Sequence, residues 1–369
     1  MLAVKNGRII YHKAFGNMQY NTAETVTPET VYDAASLTKI CATTVAIMRL
    51  YDEGKIDLNK KLGDYLPAVK GTGKQALTIK NILLHQAGLA AFIPLYRETI
   101  DSTTGKPHPK IYTTAKTASS NIPVAAGLYL KNIFKDTLFN RIIQSPTGPA
   151  GKYVYSDNDF IFLGKIAEQL SGMALDEYVK KYFYQPMGLN MAGFNPLSYL
   201  KQENIAPTEN EPLFRQQLIR GYVHDPGAAL MGGVAGHAGL FSNAYDIAAI
   251  MQMLMDGGVY NGKRYLQKET IELFTSYQST ISRRGLGFDK PEKDNAKRTE
   301  PYPCLSASPA TFGHTGFTGT CAWADPQHQL VFVLLSNRVC PDGSNTTFLK
   351  LNVRPSVHEA LYRALGIAK

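Results

Sequence analysis

The sequence predicts an α+β fold in which one antiparallel β-sheet is built from both ends of the chain and flanked by helices. At the amino end, "MLAVKNGRIIYHKAFG" places Asn6-Gly7 between two β-rich runs, a strong signal for a two-residue hairpin. The carboxyl end turns to β again in "TGTCAWADP" and "QLVFVLLSN", and helical periodicity dominates between the two ends. This order argues against a doubly wound parallel sheet.

The same layout divides the chain into two regions. Residues 1–62 and 286–369 are expected to form the α/β sheet domain, and residues 63–285 a mainly helical domain inserted into it. The expected helices cover "LTIKNILLHQAGL" and residues 157–171, 174–184, 244–256, 267–275 and 355–366. Residues 92–150 are expected to be a long irregular excursion. Its lysine-rich part is interpreted as a solvated surface segment, with a chargeable flap over a cleft as the alternative.

Composition excludes several classes of protein. The net charge is +9, but the basic residues are scattered and no nucleic-acid-binding motif is present, so no nucleic-acid partner is expected. The four cysteines lack C-x-x-C spacing and are too few for a disulfide framework. No window approaches the roughly 20 apolar residues of a membrane span. Strand-like sequence starts at once, without a signal peptide, which favours one domain of a longer polypeptide.

A serine and a lysine stand at the head of the first helix. In "SLTKICATTVAIMRLYDEG" apolar residues surround nearly the whole helix, and no charge follows Lys39 until Arg49. Ser36 and Lys39 share a helix face, so the amine can reach the hydroxyl. Burial is expected to lower the pKa of Lys39, which suits a general base. A second Ser-x-x-Lys, Ser198 to Lys201, lies in loop-like sequence and is interpreted as chance.

Two later segments extend this pattern. "KYVYSDNDFIFLG" carries Tyr155-Ser156-Asp157 before a helix, and "FGHTGFTGTCAWADP" carries His314-Thr315-Gly316 at the start of a strand. In this order the three motifs resemble those of the serine penicillin-recognising family, namely Ser-x-x-Lys, Tyr-x-Asn and Lys/His-Thr-Gly. That family includes class C β-lactamases, low-molecular-mass penicillin-binding proteins, D-aminopeptidases and esterases. "LLHQAGL", "GHAGLFSNAYDIA" and "GHTGFTGT" extend the resemblance, the last one to penicillin-binding protein 4B-type hydrolases.

The resemblance implies a cofactor-free serine hydrolase with its active site between the two regions. Ser36 would attack a carbonyl to form an acyl-enzyme, Lys39 and Tyr155 would handle its proton, and water would release the acyl group. The backbone N–H groups of Ser36 and Phe317 would form the oxyanion hole. Asp157, His314, Thr315, Gly316 and Phe317 are the expected substrate-binding residues.

Two residues depart from the family pattern. Asp157 stands where the family has asparagine; it cannot donate an amide hydrogen bond but can pair with Lys39 and keep it charged. His314 stands where β-lactamases have lysine, so its charge near neutral pH is conditional. Activity on carboxylate-bearing substrates is therefore expected to fall as the pH rises through the histidine pKa. This departure favours a peptidase or esterase activity over an efficient β-lactamase activity.

Simpler interpretations stand beside these. The simpler interpretation of Ser36 is an N-cap, that of Tyr155 a packing residue and that of His314 a structural histidine. His224, Asp225 and His237 suggest a metal site with His314, but no pair has the i, i+4 spacing of a metallohydrolase, and the alternative is that they line the cleft.

The expected substrates are small molecules or fragments derived from peptidoglycan: D-amino-acid peptides, β-lactams or small esters. A monomer is expected, and the family's usual substrates imply export to the periplasm or cell envelope. The alternative function is a non-catalytic wall-binding or interaction module that keeps the fold without turnover. A nitrophenyl ester assay separates the two.

Overall fold

The strands of the computed structural model, which describes residues 1–368, are short except near the chain ends. They are β1 (Leu2–Lys5), β2 (Arg8–His12), β3 (Tyr32–Asp33), β4 (Tyr112–Thr113), β5 (Ile122–Ala125), β6 (Leu128–Leu130), β7 (Gly193–Phe194), β8 (Glu209–Glu211), β9 (Gln217–Ile219), β10 (Leu240–Ser242), β11 (Val259–Tyr260), β12 (Lys263–Arg264), β13 (Phe312–Thr315), β14 (Cys321–Asp325) and β15 (Leu330–Leu334). The strands from the two ends form one five-stranded sheet in the order β13-β14-β15-β1-β2.

Every pairing in that sheet is antiparallel, and β1 pairs with β15 so that Leu2 lies opposite Val333. The hairpin between β1 and β2 turns at Asn6 and Gly7, which have φ values of 50° and 71°. Two successive positive φ angles are what a tight hairpin of this type requires. The predicted fold class, an antiparallel sheet made from both ends of the chain, is confirmed.

Helices fill most of the remaining chain. They are α1 (Val45–Asp52), α2 (Leu62–Tyr65), α3 (Ile79–Leu83), α4 (Ile133–Gln144), α5 (Asp157–Ser171), α6 (Leu175–Val179), α7 (Gln185–Met187), α8 (Pro226–Leu230), α9 (Ala244–Met255), α10 (Lys268–Thr275), α11 (Thr347–Lys350) and α12 (Val353–Ala364). Two π-helical turns, Lys39–Thr44 and Lys180–Tyr184, lead into α1 and α7. None of the helices within residues 1–368 is long and apolar enough to cross a membrane.

The sheet is covered on both faces. Successive strand residues point to opposite faces, so Val331 and Val333 pack in the main core while Phe332 packs with Leu361 and Tyr362 of α12. Helix α9 packs against β14, β15 and β1 on the main-core face. The predicted division into a sheet domain and an inserted domain stays a prediction. Helix α9, which packs on the sheet, lies within residues 63–285, the predicted inserted domain.

The interpretation of residues 92–150 as irregular is wrong between residues 112 and 144. A three-stranded sheet, in the order β4-β6-β5, is followed by the twelve-residue helix α4. Leu138, Ile142 and Ile143 are the buried residues of α4; Leu138 and Ile142, four residues apart, share one helix face, and Ile143 borders it. The surrounding Thr, Pro, Ser and Lys residues obscured this short apolar stripe in the sequence.

Candidate active site

Ser36 stands in a tight turn between β3 and the first helix. Ala35, directly before it, has a φ of 49°, in the left-handed region that residues other than glycine seldom occupy. The turn is held from both sides: Asp33 Oδ1 accepts the Ala35 N–H at 2.8 Å, and the Thr38 hydroxyl donates to the Ala35 carbonyl at 2.6 Å. Backbone outliers fixed by their surroundings cluster at functional sites.

Lys39 is completely buried and uses all three N–H groups of its ammonium. It donates to Ser36 Oγ at 3.0 Å, to Asp157 Oδ1 at 2.7 Å and to the His237 carbonyl at 3.2 Å. The i, i+3 spacing therefore brings the amine to the hydroxyl as the sequence predicts.

The pKa of Lys39 moves in the opposite direction to the one expected from burial. Burial by itself lowers the pKa, but the charge and hydrogen bond of Asp157, with a smaller contribution from Tyr155, outweigh it and raise the pKa above its usual value. The expectation of a lowered lysine pKa is thus wrong, and the suggestion that Asp157 keeps Lys39 charged describes the site. The ion pair of Lys39 with Asp157 is neutral overall, which offsets the cost of burying the ammonium.

Tyr155, just before α5, provides a second contact to the Ser36 side chain. Its hydroxyl donates to Ser36 Oγ at 3.0 Å, and Lys39 Nζ lies 4.9 Å from the centre of its ring. The ring also packs against His85 and His314, with centroid separations of 4.7 and 5.8 Å. Ser36 Oγ is therefore reached by an amine and a phenol from two different parts of the chain.

A buried pair that sequence reasoning did not single out lies behind Tyr155. His85 Nδ1 is 2.8 Å from Asp159 Oδ2, and the Ser156 N–H donates to the same nitrogen at 3.2 Å. Burial raises the pKa of Asp159 well above its usual value and lowers that of His85 well below. Both pKa changes favour the uncharged forms of the two side chains. The His85 ring of this pair packs against the Tyr155 ring.

The end of β13 is fastened to the turn that carries Ser36. The Thr318 hydroxyl donates to the Asp33 carbonyl at 2.8 Å, and the Thr320 hydroxyl donates to the Ala34 carbonyl at 3.0 Å. A Cβ on Gly316 would stand 2.6 Å from the Ala34 carbonyl oxygen, so only glycine allows this approach. Sequence reasoning missed both threonines, although "GFTGT" contains them.

Two backbone N–H groups at this junction are free. Within residues 1–368, neither the Ser36 N–H nor the Phe317 N–H donates a hydrogen bond. Both belong to the segments that Gly316 brings together. They are thus available to a ligand atom beside Ser36 Oγ.

His314 is buried next to Tyr155, and its side chain does not change charge near neutral pH. Its Nδ1–H donates to the Thr315 carbonyl at 2.6 Å, while Nε2 has no hydrogen-bond partner in the part of the chain that the structure describes. Burial and, to a smaller extent, the charge of Arg284 lower the pKa of His314 to about 3, although the charge of Asp289 opposes the change. His314 is therefore neutral at physiological pH, and the expectation of a charge change near pH 6.5 is wrong.

This geometry can be compared with that of known proteins. The sequence profile described as "Beta-lactamase" matches residues 1–351 of the chain. The chain belongs to the β-lactamase family. A relative from Escherichia coli K12, named "Putative D-alanyl-D-alanine carboxypeptidase", is 34% identical over 365 residues, which cover 92% of this chain and 77% of the relative. Relatives of the same name from Salmonella strains are 35% identical with similar coverage.

Solved structures of other proteins share the fold. An octameric penicillin-binding protein homologue from Pyrococcus abyssi superposes with a TM-score of 0.67 at 21% identity and covers 100% of this chain and 73% of its own. The hydrolase EstCE1, with promiscuous acyltransferase activity, gives 0.66 at 20% identity and covers 96% and 92%. These likenesses concern the fold, and the chemical roles of the site residues stay predictions.

In this β-lactamase-family chain a cavity of about 370 Å³ opens beside Ser36 and Tyr155. His224, Asp225 and His237 line this cavity, as the alternative interpretation of these residues in the sequence predicted. His224 Nε2 bonds to Glu209 at 2.7 Å, and His237 Nε2 bonds to Asp225 at 2.8 Å. Among residues 1–368 no three His, Cys, Asp or Glu side chains are grouped to hold a metal ion.

The second Ser-x-x-Lys copy is unlike the first. The Lys201 side chain is 80% exposed, and the Ser198 hydroxyl bonds to the Asn195 carbonyl instead of a lysine. Its interpretation as a chance match is consistent with this geometry.

Proposed function

We propose that the protein is a serine hydrolase that works through an acyl-enzyme on Ser36. The observation that carries the proposal is the approach of Lys39 Nζ and Tyr155 Oη to Ser36 Oγ, both at 3.0 Å. A nucleophile in hydrogen-bond contact with a base, next to free N–H groups for the developing oxyanion, is the arrangement that acyl transfer needs.

The proton path follows from the two contacts. Ser36 Oγ attacks the substrate carbonyl while its proton passes to the neutral form of Lys39. The carbonyl oxygen becomes negative between the Ser36 and Phe317 N–H groups. Tyr155 then gives its proton to the leaving group and regains one from Lys39, and water repeats the steps to release the acyl group.

Replacing Asp157 with asparagine, the residue of the family motif, is expected to shift activity to lower pH. Asp157 makes the largest contribution that raises the pKa of Lys39, so its removal leaves burial opposed mainly by Tyr155 and lowers that pKa. Neutral Lys39 then forms at lower pH, and the pH at which kcat/KM reaches half its alkaline plateau moves down. An unchanged midpoint counts against a proton-accepting role for Lys39. Asp136→Asn, on exposed α4 surface, is the matched control.

His314 is expected to give carboxylate-bearing substrates no pH-dependent advantage. Its pKa of about 3 means that its positive charge is present only at strongly acidic pH. We compare kcat/KM for an ester that carries a free carboxylate group with kcat/KM for an uncharged ester. The ratio of the two should stay constant within about twofold between about pH 5 and about pH 8. A drop in this ratio centred near pH 6.5 would contradict the neutral state of His314.

The substrate class proposed here comprises small esters, D-amino-acid peptides and β-lactams. The name of the Escherichia coli relative supports peptides, and the fold of EstCE1 is compatible with esters. We also propose that the active site lies between the predicted sheet and helical regions, since Tyr155 and Ser36 come from different ones. Export follows from the family's usual substrates, and finding the protein in the cytosolic fraction of its source cells would refute it.

Hydrolysis of p-nitrophenyl acetate tests the proposed function. A hydrolase releases nitrophenol repeatedly, and treatment with a fluorophosphonate stops the release. A non-catalytic module of the same fold releases none above the buffer rate. The same assay on D-Ala-D-Ala peptides and β-lactams then ranks the three substrate types.

A further inference from the structure

We propose that the cavity beside Ser36 binds an apolar, uncharged acyl group, so that neutral hydrophobic esters or amides are the preferred acyl donors. This inference rests on the proposed function and names the substrate class of the same site. The cavity, at about 370 Å³, lies within the roughly 300–1,000 Å³ range of small-molecule sites.

The wall of the cavity is mostly hydrocarbon. Four elements supply most of its apolar side chains: the segment that includes the turn Leu95–Thr99, helix α4, helix α5 and helix α8. Their apolar contributions include Phe92, Leu95, Leu138, Ile142, Ile161 and Leu230. Ser36 and Tyr155 lie in the same wall, so a group attached to the Ser36 acyl carbon can enter this apolar space.

The Asp33 and Asp225 carboxylates of the wall already have hydrogen-bond partners within the protein. Asp33 accepts backbone N–H groups from Ala35 at 2.8 Å and from His224 at 2.6 Å. Asp225 Oδ1 accepts from the Ala228 N–H at 2.7 Å and lies 2.8 Å from His237 Nε2. Within residues 1–368, His237 Nδ1 and the Ser36 and Phe317 N–H groups have no partner, and elsewhere in the wall the binding of a ligand depends on apolar contact.

The charges around the cavity disfavour a carboxylate. Among residues 1–368, no lysine or arginine lines the cavity, whereas Asp33 and Asp225 do. Asp157 also lines it, but its charge and that of the buried Lys39 balance each other. The guanidinium of Arg338 packs on the Phe317 ring at 4.6 Å without joining the cavity wall. A carboxylate placed here would lose water and meet negative charge.

A matched series of p-nitrophenyl esters tests the proposal. With acetate, butyrate and hexanoate, kcat/KM is expected to rise about fourfold for each methylene that enters the cavity. The p-nitrophenyl monoester of glutaric acid, which ends in a carboxylate, should react at least about tenfold more slowly than the butyrate. Equal rates along the series, or a faster glutarate ester, would overturn the proposal.

A charge placed on the cavity wall provides a second readout. Phe92 lines the cavity and is 63% exposed, so Phe92→Arg adds a cation without burying it. This variant should raise the ratio of glutarate to butyrate rates at least about fivefold. Ile281→Arg, at a position that is 54% exposed and outside the cavity, should leave the ratio unchanged. An equal ratio in both variants would contradict the proposed position of the acyl group.

The failure of this inference can be told from the failure of the proposed function. If p-nitrophenyl acetate is not hydrolysed and Ser36 is not acylated, the hydrolase proposal itself is wrong. If p-nitrophenyl acetate is hydrolysed through Ser36 but the length and charge of the acyl group do not change kcat/KM, only the proposed apolar acyl site is wrong.

Discussion

Replacement of Ser36 with alanine is expected to reduce kcat for p-nitrophenyl acetate by about 10⁴–10⁶-fold. The methyl group cannot form an acyl-enzyme, and only binding and the two backbone N–H groups remain to assist attack by water. The exchange removes a single oxygen, so Lys39 keeps its bonds to Asp157 and to the His237 carbonyl, and the fold is retained. Stopped-flow and steady-state release of nitrophenol measure the loss.

The chain provides a matched control for this variant. Ser198 belongs to the second Ser-x-x-Lys copy, whose lysine is exposed. The Ser198→Ala variant should therefore hydrolyse p-nitrophenyl acetate at the wild-type rate. Thermal unfolding of both variants establishes that they are folded. Activity of Ser36→Ala within tenfold of wild type would mean that the nucleophile lies elsewhere.

Replacement of Tyr155 with phenylalanine is expected to lower kcat by about 10²–10⁴-fold, the usual contribution of a positioned proton donor. The variant loses the hydroxyl that lies 3.0 Å from Ser36 Oγ but keeps the ring that packs on His85 and His314. The effect should be larger for esters with basic leaving alkoxides than for nitrophenyl esters, because nitrophenolate needs little protonation. Steady-state kinetics on both ester types measure it.

Tyr153→Phe is the control for the loss of a phenol in the same loop. Tyr153 also packs near His85, at 6.4 Å between ring centroids, but does not contact Ser36. Its variant should keep wild-type kinetics. If Tyr155→Phe loses less than about threefold with both ester types, Tyr155 is a packing residue and the proton path must be redrawn.

The sequence predicts well those features of the fold that depend on short, local patterns of residues. The Asn6-Gly7 turn predicts a hairpin, and continuous apolar runs predict strands such as β15, so the sheet from both chain ends can be predicted. Helix α5 begins and ends where its periodicity predicts, at Asp157–Ser171. Helix α4 was hidden because its buried stripe is short and lies among turn-forming residues.

The electrostatics of the site could not be read in the same way. The pKa of Lys39 depends on Asp157, which lies 118 positions away in sequence, and the pKa of His314 depends on the depth of its burial. The neutral pair of His85 and Asp159 likewise joins distant residues. Sequence motifs name the groups, but the sign of each pKa change follows from distances that only the folded chain determines.

The central claim is a covalent bond between the substrate acyl group and Ser36, and mass spectrometry tests it most directly. The protein is treated with a fluorophosphonate or a penicillin, its intact mass is measured, and the adduct is located by peptide mapping. We predict one adduct per chain, on the peptide that contains Ser36, and none on Ser36→Ala. An adduct of the same stoichiometry on Ser36→Ala, or one mapped to another residue in the wild-type protein, would contradict the account.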